Sequence, residues 1–515
     1  MLLFLIVLCS LGNDVQNNKF LTRIKKETTM ISTSTLARKI SIITYTLIFF
    51  LLPIAQANDK PNIVVILADD LGNADLGYRG SKIRTPNIDK LAKEGVKLES
   101  FYGMPLCTPA RAALMTGRYP MRTGLQTFVI FPGHTYGLPT EETTLPQALK
   151  EAGYKTAMVG KWHLGHADRK YWPQNRGFDH FYGNLVGEVD YFTKDRGGII
   201  DWQRNGTFLK EEGYHTTQIG DEAVKLIEQQ DPNKPLFLYF AALAAHSPYQ
   251  APKGGAEAYK DIFKDKTKQI YAAMITELDV QVGRIIKALD KKGILDNTLI
   301  FFASDNGGKL AGSVSAPGTG ALKTPPASNG KFRDGKASLY EGGVRVPAIV
   351  SWKGKIKPGI SNESLHMVDI MPTLLKLAGG HGDPKRPFDG KDIWDSITEG
   401  KPSPHEEILI NVEVYRGSII KGKWKLVKLA TLPGKTELFD LSKDPYEKVN
   451  LAKKFPKVVA DLEARLVAYA KEQKTSLWLK AQKEFMGVQG KTAFDPGFDV
   501  SDGGLPQEKP VLPTE

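Results

Sequence analysis

The stretch Pro61-Asn62-Ile63-Val64-Val65-Ile66-Leu67-Ala68 is almost continuously apolar, rich in β-branched residues, and breaks off at Asp69-Asp70 and Leu71-Gly72. A run without polar alternation predicts a central strand buried on both faces, here with two carboxylates at its carboxyl end. Shorter apolar runs at 156–159, 236–241 and 298–303 repeat the pattern. Helical stretches alternate with them at 88–95, 145–153, 220–230 and 271–291, the second closing on a glycine stop. Strands and helices in this order predict an α/β sandwich on a large, mainly parallel sheet flanked by helices. In such folds reactive groups gather beyond the carboxyl ends of the strands. Asp69-Asp70, His246 and Asp305-Asn306 each follow one of these runs.

After a further helical pattern at 367–380 the texture changes. From about His405, short runs at 408–414, 418–421, 425–428 and 437–440 are separated by turn residues, and 458–473 is helical. These predict a small C-terminal antiparallel sheet with a helix. The expected organisation is an N-terminal extension with signal peptide over 1–57, a main domain over 58–404, a C-terminal subdomain over 405–489 and a loose tail over 490–515. The tail is rich in Pro and Gly without periodicity. Residues 312–329, rich in Gly, Ser, Ala and Pro, read as a mobile loop beside the site.

Composition adds an address and removes several alternatives. The 515 residues are 41% hydrophobic and 24% charged, ample for a large core. The net charge of +12 comes without a dense Lys/Arg run, which argues against nucleic acid. Mild positive charge suits an anionic substrate and a solvated basic surface equally. Arg38-Lys39 precede an apolar stretch over 40–54, and Ala55-Gln56-Ala57 supplies the small-x-small pattern of a cleavage site. That stretch is short for a membrane span, so a signal peptide cleaved near Ala57 and a periplasmic or secreted chain are expected, without a stable membrane anchor. Met30 is an alternative start to Met1. The cysteines are Cys9 and Cys107. Export removes Cys9, and a single remaining cysteine forms no internal disulfide. Inert burial is the ordinary fate of such a residue; the neighbours of Cys107 point elsewhere.

Adjacent carboxylates at a strand end repel unless a cation or hydrogen-bond donors neutralise them. Each pair alone reads as a turn or cap, whereas Asp69-Asp70 and Asp305-Asn306 together favour one metal site. Oxygen-only ligands suit hard cations such as calcium or magnesium, and no HExxH or CxxC pattern supports zinc. Lys161 and His163, two residues apart after a strand, face one side if the segment stays extended. They pair a cation for an anion with a group for proton transfer. The segment Gly330-Lys331-Phe332-Arg333-Asp334-Gly335-Lys336 imitates a phosphate-binding loop. Ala337 replaces its Ser/Thr and no apolar strand precedes it, which excludes a nucleotide site.

The decisive motif is Pro105-Leu106-Cys107-Thr108-Pro109-Ala110-Arg111, with Thr116-Gly117-Arg118 downstream. On this Cys-x-Pro-x-Arg core and the constellations above, the chain resembles the formylglycine-dependent (type I) sulfatases, with Ala110 where serine is more usual. The resemblance covers about residues 61–473 and implies an alkaline-phosphatase-like sandwich. It implies Asp69, Asp70, Asp305, Asn306 and modified Cys107 as ligands of Ca2+, with Cys107 converted to formylglycine (3-oxoalanine) by a maturation enzyme. It implies that Arg111 and Lys161 hold the formylglycine hydrate and that His163 drives release of sulfate. His246 and Lys336 resemble the residues that bind the sulfate and assist the leaving oxygen.

Within the family, Ile83-Arg84-Thr85-Pro86-Asn87-Ile88-Asp89 and Arg176-Gly177-Phe178-Asp179 are similar to the arylsulfatase B / N-acetylgalactosamine 4-sulfatase group. That group removes 4-sulfate from N-acetylgalactosamine in chondroitin and dermatan sulfate, although this chain lacks its disulfide cysteines. The expected activity is hydrolysis of sulfate esters on a sulfated polysaccharide or oligosaccharide, of chondroitin/dermatan or algal type. Two other readings stand beside it: a phosphonate or phosphate monoester hydrolase with the same nucleophile, and a non-catalytic binder of sulfated glycan.

Overall fold

The computed structural model describes residues 60–310, 326–430 and 433–489. The signal-peptide reading of 1–57, the tail 490–515 and residues 311–325 of the Gly/Ser-rich segment lie outside the described residues. Ten strands form the large sheet: β1 (Asn62–Ala68), β2 (Val96–Tyr102), β3 (Lys155–Lys161), β4 (His180–Asn184), β5 (Gln203–Arg204), β6 (Thr207–Phe208), β7 (Leu236–Ala241), β8 (Thr298–Ser304), β9 (Ala348–Ser351) and β10 (Gly359–His366). Their order is β10-β2-β9-β8-β1-β7-β3-β4-β5-β6. The five central strands β8-β1-β7-β3-β4 are parallel, and antiparallel pairs flank them.

The apolar run that predicts β1 behaves as expected. Ile63, Val65 and Leu67 enter one core, Val64, Ile66 and Ala68 the other, and the whole strand is buried. Helices cover both faces, as a sheet that is apolar on each side requires. The first core takes α2 (Cys107–Thr116), α3 (Leu145–Glu151) and α6 (Ile370–Ala378). The second takes α1 (Pro86–Glu94), α4 (His215–Glu228) and α5 (Lys266–Lys291).

A second sheet of four antiparallel strands follows: β11 (Glu407–Glu413), β12 (Arg416–Lys421), β13 (Trp424–Leu429) and β14 (Lys435–Asp440). Leu409, Ile419, Leu426 and Leu438 join the first core together with Leu462 and Leu466 of α7 (Pro456–Glu472). Ile408, Ile410, Ile420 and Val427 pack instead with Tyr102 and Tyr340 of the main body. The small sheet is thus buried on both faces. The last described helix is α8 (Leu477–Gln489). Among the described residues no helix is long and apolar enough to cross a membrane.

Candidate active site

Four neighbouring strands bring the predicted residues to one place. Ala68 of β1 pairs in register with Ser304 of β8, so Asp69-Asp70 and Asp305-Asn306 emerge side by side. On the other side of β1, β7 leads to His246, and β3 beyond it ends on Lys161. Backbone bonds fix the exits: Asp305 N donates to Ala68 O at 3.1 Å, and Ala245 N to Asp69 O at 2.7 Å. Gly160 lets β3 approach this closely, because a Cβ there would meet Ala241 O at 2.0 Å. Cys107 is the first residue of α2, after an extended Leu106, and Arg111 lies one turn further on. A helix amino terminus favours negative charge at that position.

The side chains converge on Cys107. Its Sγ lies 3.3 Å from Asp69 Oδ1 and 4.0 Å from Asp70 Oδ1. Arg111 Nη2 donates to Asp69 Oδ2 at 3.0 Å and to Asp305 Oδ2 at 3.3 Å, while its Nη1 donates to Lys161 O at 2.6 Å. Lys161 Nζ pairs with Asp69 Oδ2. Lys336 Nζ reaches both Asp70 oxygens, at 2.7 and 2.8 Å, and Asn306 Nδ2 donates to Asp70 Oδ1 at 2.8 Å. His246 Nε2 stands 3.6 Å from Asp70 Oδ2. Thr108 Oγ1 donates to His163 O at 3.1 Å, tying the start of α2 to His163. The segment does not stay extended as far as His163: β3 stops at Lys161, and His163 adopts a left-handed φ of 60°. The ring therefore reaches the cleft through a backbone turn that non-glycine residues seldom adopt.

Charge compensation sets the titration behaviour. Burial pushes the Asp69 carboxyl up, but Lys161, His246 and Arg111 outweigh it and hold the group below the usual range. Asp70 is likewise lowered, burial being outweighed chiefly by Lys336 and His246. Burial and the neighbouring Asp69 push Asp305 up to about 7. Burial and Asp69 also raise the Cys107 thiol well above its ordinary value. Burial opposes the Lys336 ammonium, yet Asp70 raises it well above the ordinary lysine range. A raised thiol is a poor nucleophile as it stands.

The donor set could hold a metal ion. Asp69, Asp70, Cys107 and His246 present ligand atoms within 4.8 Å of one another, all buried. Asn306 Oδ1 is buried and has no hydrogen-bond partner among the described residues, an acceptor that a cation would satisfy. His246 enters this geometric group although the resemblance implied it for sulfate binding and for assisting the leaving oxygen, not as a metal ligand.

The cleft above the cluster is also lined by Phe128 and Phe131 of segment 127–140, Glu188 and Arg196 of segment 188–207, and Lys309, none of which the sequence singled out individually. Glu188 Oε2 lies 3.6 Å from His246 Nδ1, and Arg196 Nη2 3.2 Å from Glu188 Oε1. They sit on connections, except for Arg196 on the two-residue strand Asp195–Arg196, and no periodicity marks such positions. Gly330–Lys336, dismissed as a nucleotide loop, carries Lys336 to Asp70.

A nucleophile position at a helix start, ringed by three cations and an oxygen-rich cluster at the strand ends of an α/β sandwich, defines a hydrolase for anionic esters. The family model for sulfatases matches residues 61–380, and one described as N-sulphoglucosamine sulphohydrolase, C-terminal, matches 330–472. The chain belongs to the sulfatase family and is a sulfuric ester hydrolase. It is 37% identical to mouse arylsulfatase J over 468 residues, covering 80% of this chain and 76% of that protein. It is 36% identical to human N-acetylgalactosamine-6-sulfatase over 367 residues, covering 67% of each. The crystal structure of Ps i-CgsB superposes with a TM-score of 0.73 at 34% identity, over 81% of this chain and 94% of that one. The same protein has also been crystallised with k-i-k-neocarrahexaose, at 33% identity to this chain and a TM-score of 0.73.

Proposed function

We propose that this sulfatase removes sulfate from a sulfated polysaccharide or oligosaccharide, using Cys107 matured to formylglycine and a calcium ion. The observation that carries the reading is the placement of Cys107 Sγ 3.3 Å from Asp69 Oδ1 at the foot of the cleft. The names of the relatives, an N-acetylgalactosamine-6-sulfatase and a protein crystallised with a carrahexaose, support a sugar substrate. The best candidates are N-acetylgalactosamine 4-sulfate of the chondroitin/dermatan type and algal sulfated glycans.

Asp69, Asp70, Asp305 and Asn306, with the oxygen of residue 107, would hold the cation, which when bound offsets charge on the nucleophile and sulfate oxygens. A hydrated aldehyde at residue 107 supplies two hydroxyls on one carbon, one to attack sulfur and one to expel sulfate. Arg111 and Lys161 orient and neutralise that group from the buried side. Lys336 faces the substrate side and offsets sulfuryl charge. His246 gives a proton to the departing alcohol, and His163 takes one from the second hydroxyl. In this reading 58–404 is the catalytic domain, 405–489 the C-terminal subdomain, and the protein is exported after cleavage near Ala57.

The test joins a mass and an activity. The Cys107 peptide of purified enzyme should have the mass of formylglycine, and the enzyme should release sulfate from chondroitin or carrageenan oligosaccharides. Full activity with an unmodified thiol, or in Cys107→Ala, would sink the nucleophile. Faster turnover of aryl phosphate than of any sulfate ester would favour the phosphate ester reading instead.

A further inference from the structure

The wall of the cleft that carries Phe128 and Phe131 does not end with them. Phe128 is 5.5 Å, centroid to centroid, from Phe131 on one side and 5.5 Å from Trp478 on the other. Phe131 continues to His134 at 5.6 Å, and His134 stacks on Tyr136 at 4.9 Å. All five residues are partly exposed, with Tyr136 OH and Trp478 Nε1 turned inward. Phe128 and Phe131 share the cleft with Cys107, His163 and Lys336, whereas Trp478, His134 and Tyr136 continue the string beyond the lining residues.

The segment bearing these rings is fixed to the reacting centre. Ile130 N donates to Thr108 Oγ1 at 3.2 Å, and the ring of His163 holds Ile130 O at 3.1 Å. His166 Nε2 holds Pro132 O at 2.7 Å, and Leu138 N donates to Leu164 O at 2.8 Å. On the other flank Leu477 N donates to Gly124 O at 2.9 Å, setting Trp478 beside Phe128. The rings are therefore held in place before any ligand arrives, which lowers the ordering cost of binding.

We propose that the string Trp478–Phe128–Phe131–His134–Tyr136 is a stacking platform for the sugar units that flank the sulfated one, so that the enzyme takes sulfate from within an oligosaccharide. The proposal rests on the glycan reading above. A pyranose face presents polarised C–H bonds, which match the negative face of an aromatic ring, while its hydroxyl and sulfate edges stay with the polar groups. Glu188, Arg196 and Lys309 supply polar lining in the same cleft. A small ester that ends at its own leaving group has no use for rings outside the cleft.

The experiment compares a disaccharide and a hexasaccharide of the same sulfated glycan, drawn in parallel from chondroitin 4-sulfate and ι-carrageenan. The parent should prefer the hexasaccharide in kcat/KM. Phe131→Ala and Trp478→Ala should each reduce the hexasaccharide-to-disaccharide ratio by about tenfold, and Phe131→Trp should restore it. A general loss of folding lowers both rates and leaves the ratio unmoved. A parent active on both lengths without preference, or a ratio untouched by ring removal, overturns the proposal and leaves the rings to contacts within the chain or between copies. A parent inactive on every oligosaccharide but active on aryl sulfate overturns the glycan reading, and this one with it.

Discussion

The Nε2 atom of His163 lies 3.1 Å from the carbonyl oxygen of Ile130. A carbonyl oxygen only accepts, so Nε2 carries the proton and Nδ1, buried and unpartnered among the described residues, keeps its lone pair. Burial, then Lys161 and Arg111, push the imidazole well below its ordinary value, so the ring stays neutral and able to accept a proton. The His163→Ala enzyme is expected to lose about 10²–10⁴ in kcat. In rapid mixing with an aryl sulfate it should release phenol in a burst and then stall, because only the later proton transfer is impaired. Steady-state turnover at the parental rate would remove His163 from the mechanism.

Gly187 tests the same ring from the other side. A Cβ there would stand 2.4 Å from His163 Cε1 and 2.5 Å from Nε2, so Gly187→Ala must displace the ring or the backbone beside it. A misplacement of about 1 Å costs on the order of 10²-fold in rate. The loss should fall on kcat, with the mass of the Cys107 peptide and the metal content unchanged. An unaffected kcat would mean that the ring position carries little of the chemistry.

Cation binding has a readout apart from turnover. The acidic groups below Cys107 are held by Arg111, Lys161 and Lys336, and Asn306 Oδ1 lacks a partner among the described residues. After treatment with EGTA the enzyme should melt at a lower temperature, and added Ca2+ should restore it. Ligand at a hundred times its Kd adds about 2.7 kcal/mol. Asp70→Asn should weaken this response. A melting temperature indifferent to Ca2+ and Mg2+ alike would count against a metal at this cluster.

The parts of this molecule that the sequence made legible are those whose burial is uniform. The run at 236–241 predicts a strand because nothing polar interrupts it, and β7 spans Leu236–Ala241. β10, Gly-Ile-Ser-Asn-Glu-Ser-Leu-His over Gly359–His366, gives no such signal, because an edge strand paired only with β2 leaves three of its eight residues exposed and two half-buried. The helix α2 was hidden for the opposite reason. Every residue from Cys107 to Thr116 is buried, so no face alternates with another. Asp69, Asp70, His246, Asp305 and Asn306 stood out from their positions after apolar runs, and Cys107 and Arg111 from their motif, whereas Glu188, on a connection, and Arg196, on the two-residue strand Asp195–Arg196, reach the cleft along a path that only the fold sets.

The junction between the sheets offers a prediction on stability. Lys425 of β13 lies 2.8 Å from Glu341 Oε1 and 2.9 Å from Glu447 Oε1, with all three side chains fully buried. Glu341 Oε2 also accepts from Tyr102 OH at 3.1 Å, at the end of β2, so the network joins the small sheet to the large one. Lys425→Met removes the shared cation and is expected to cost about 3–5 kcal/mol. Burial, opposed by Lys425 but reinforced by Glu341, raises Glu447 to about 7 from 4.5. A carboxyl raised in the fold keeps a proton that the unfolded chain gives up. Its contribution is complete below the unfolded value and is lost as the pH climbs through about 7. Denaturant unfolding should therefore show a stability that falls between about pH 5 and pH 8. Glu447→Gln should flatten that slope, and Lys425→Met, by removing the cation that holds Glu447 down, should carry it to higher pH. Parallel pH profiles for the three proteins would show that Glu447 does not change its protonation on unfolding.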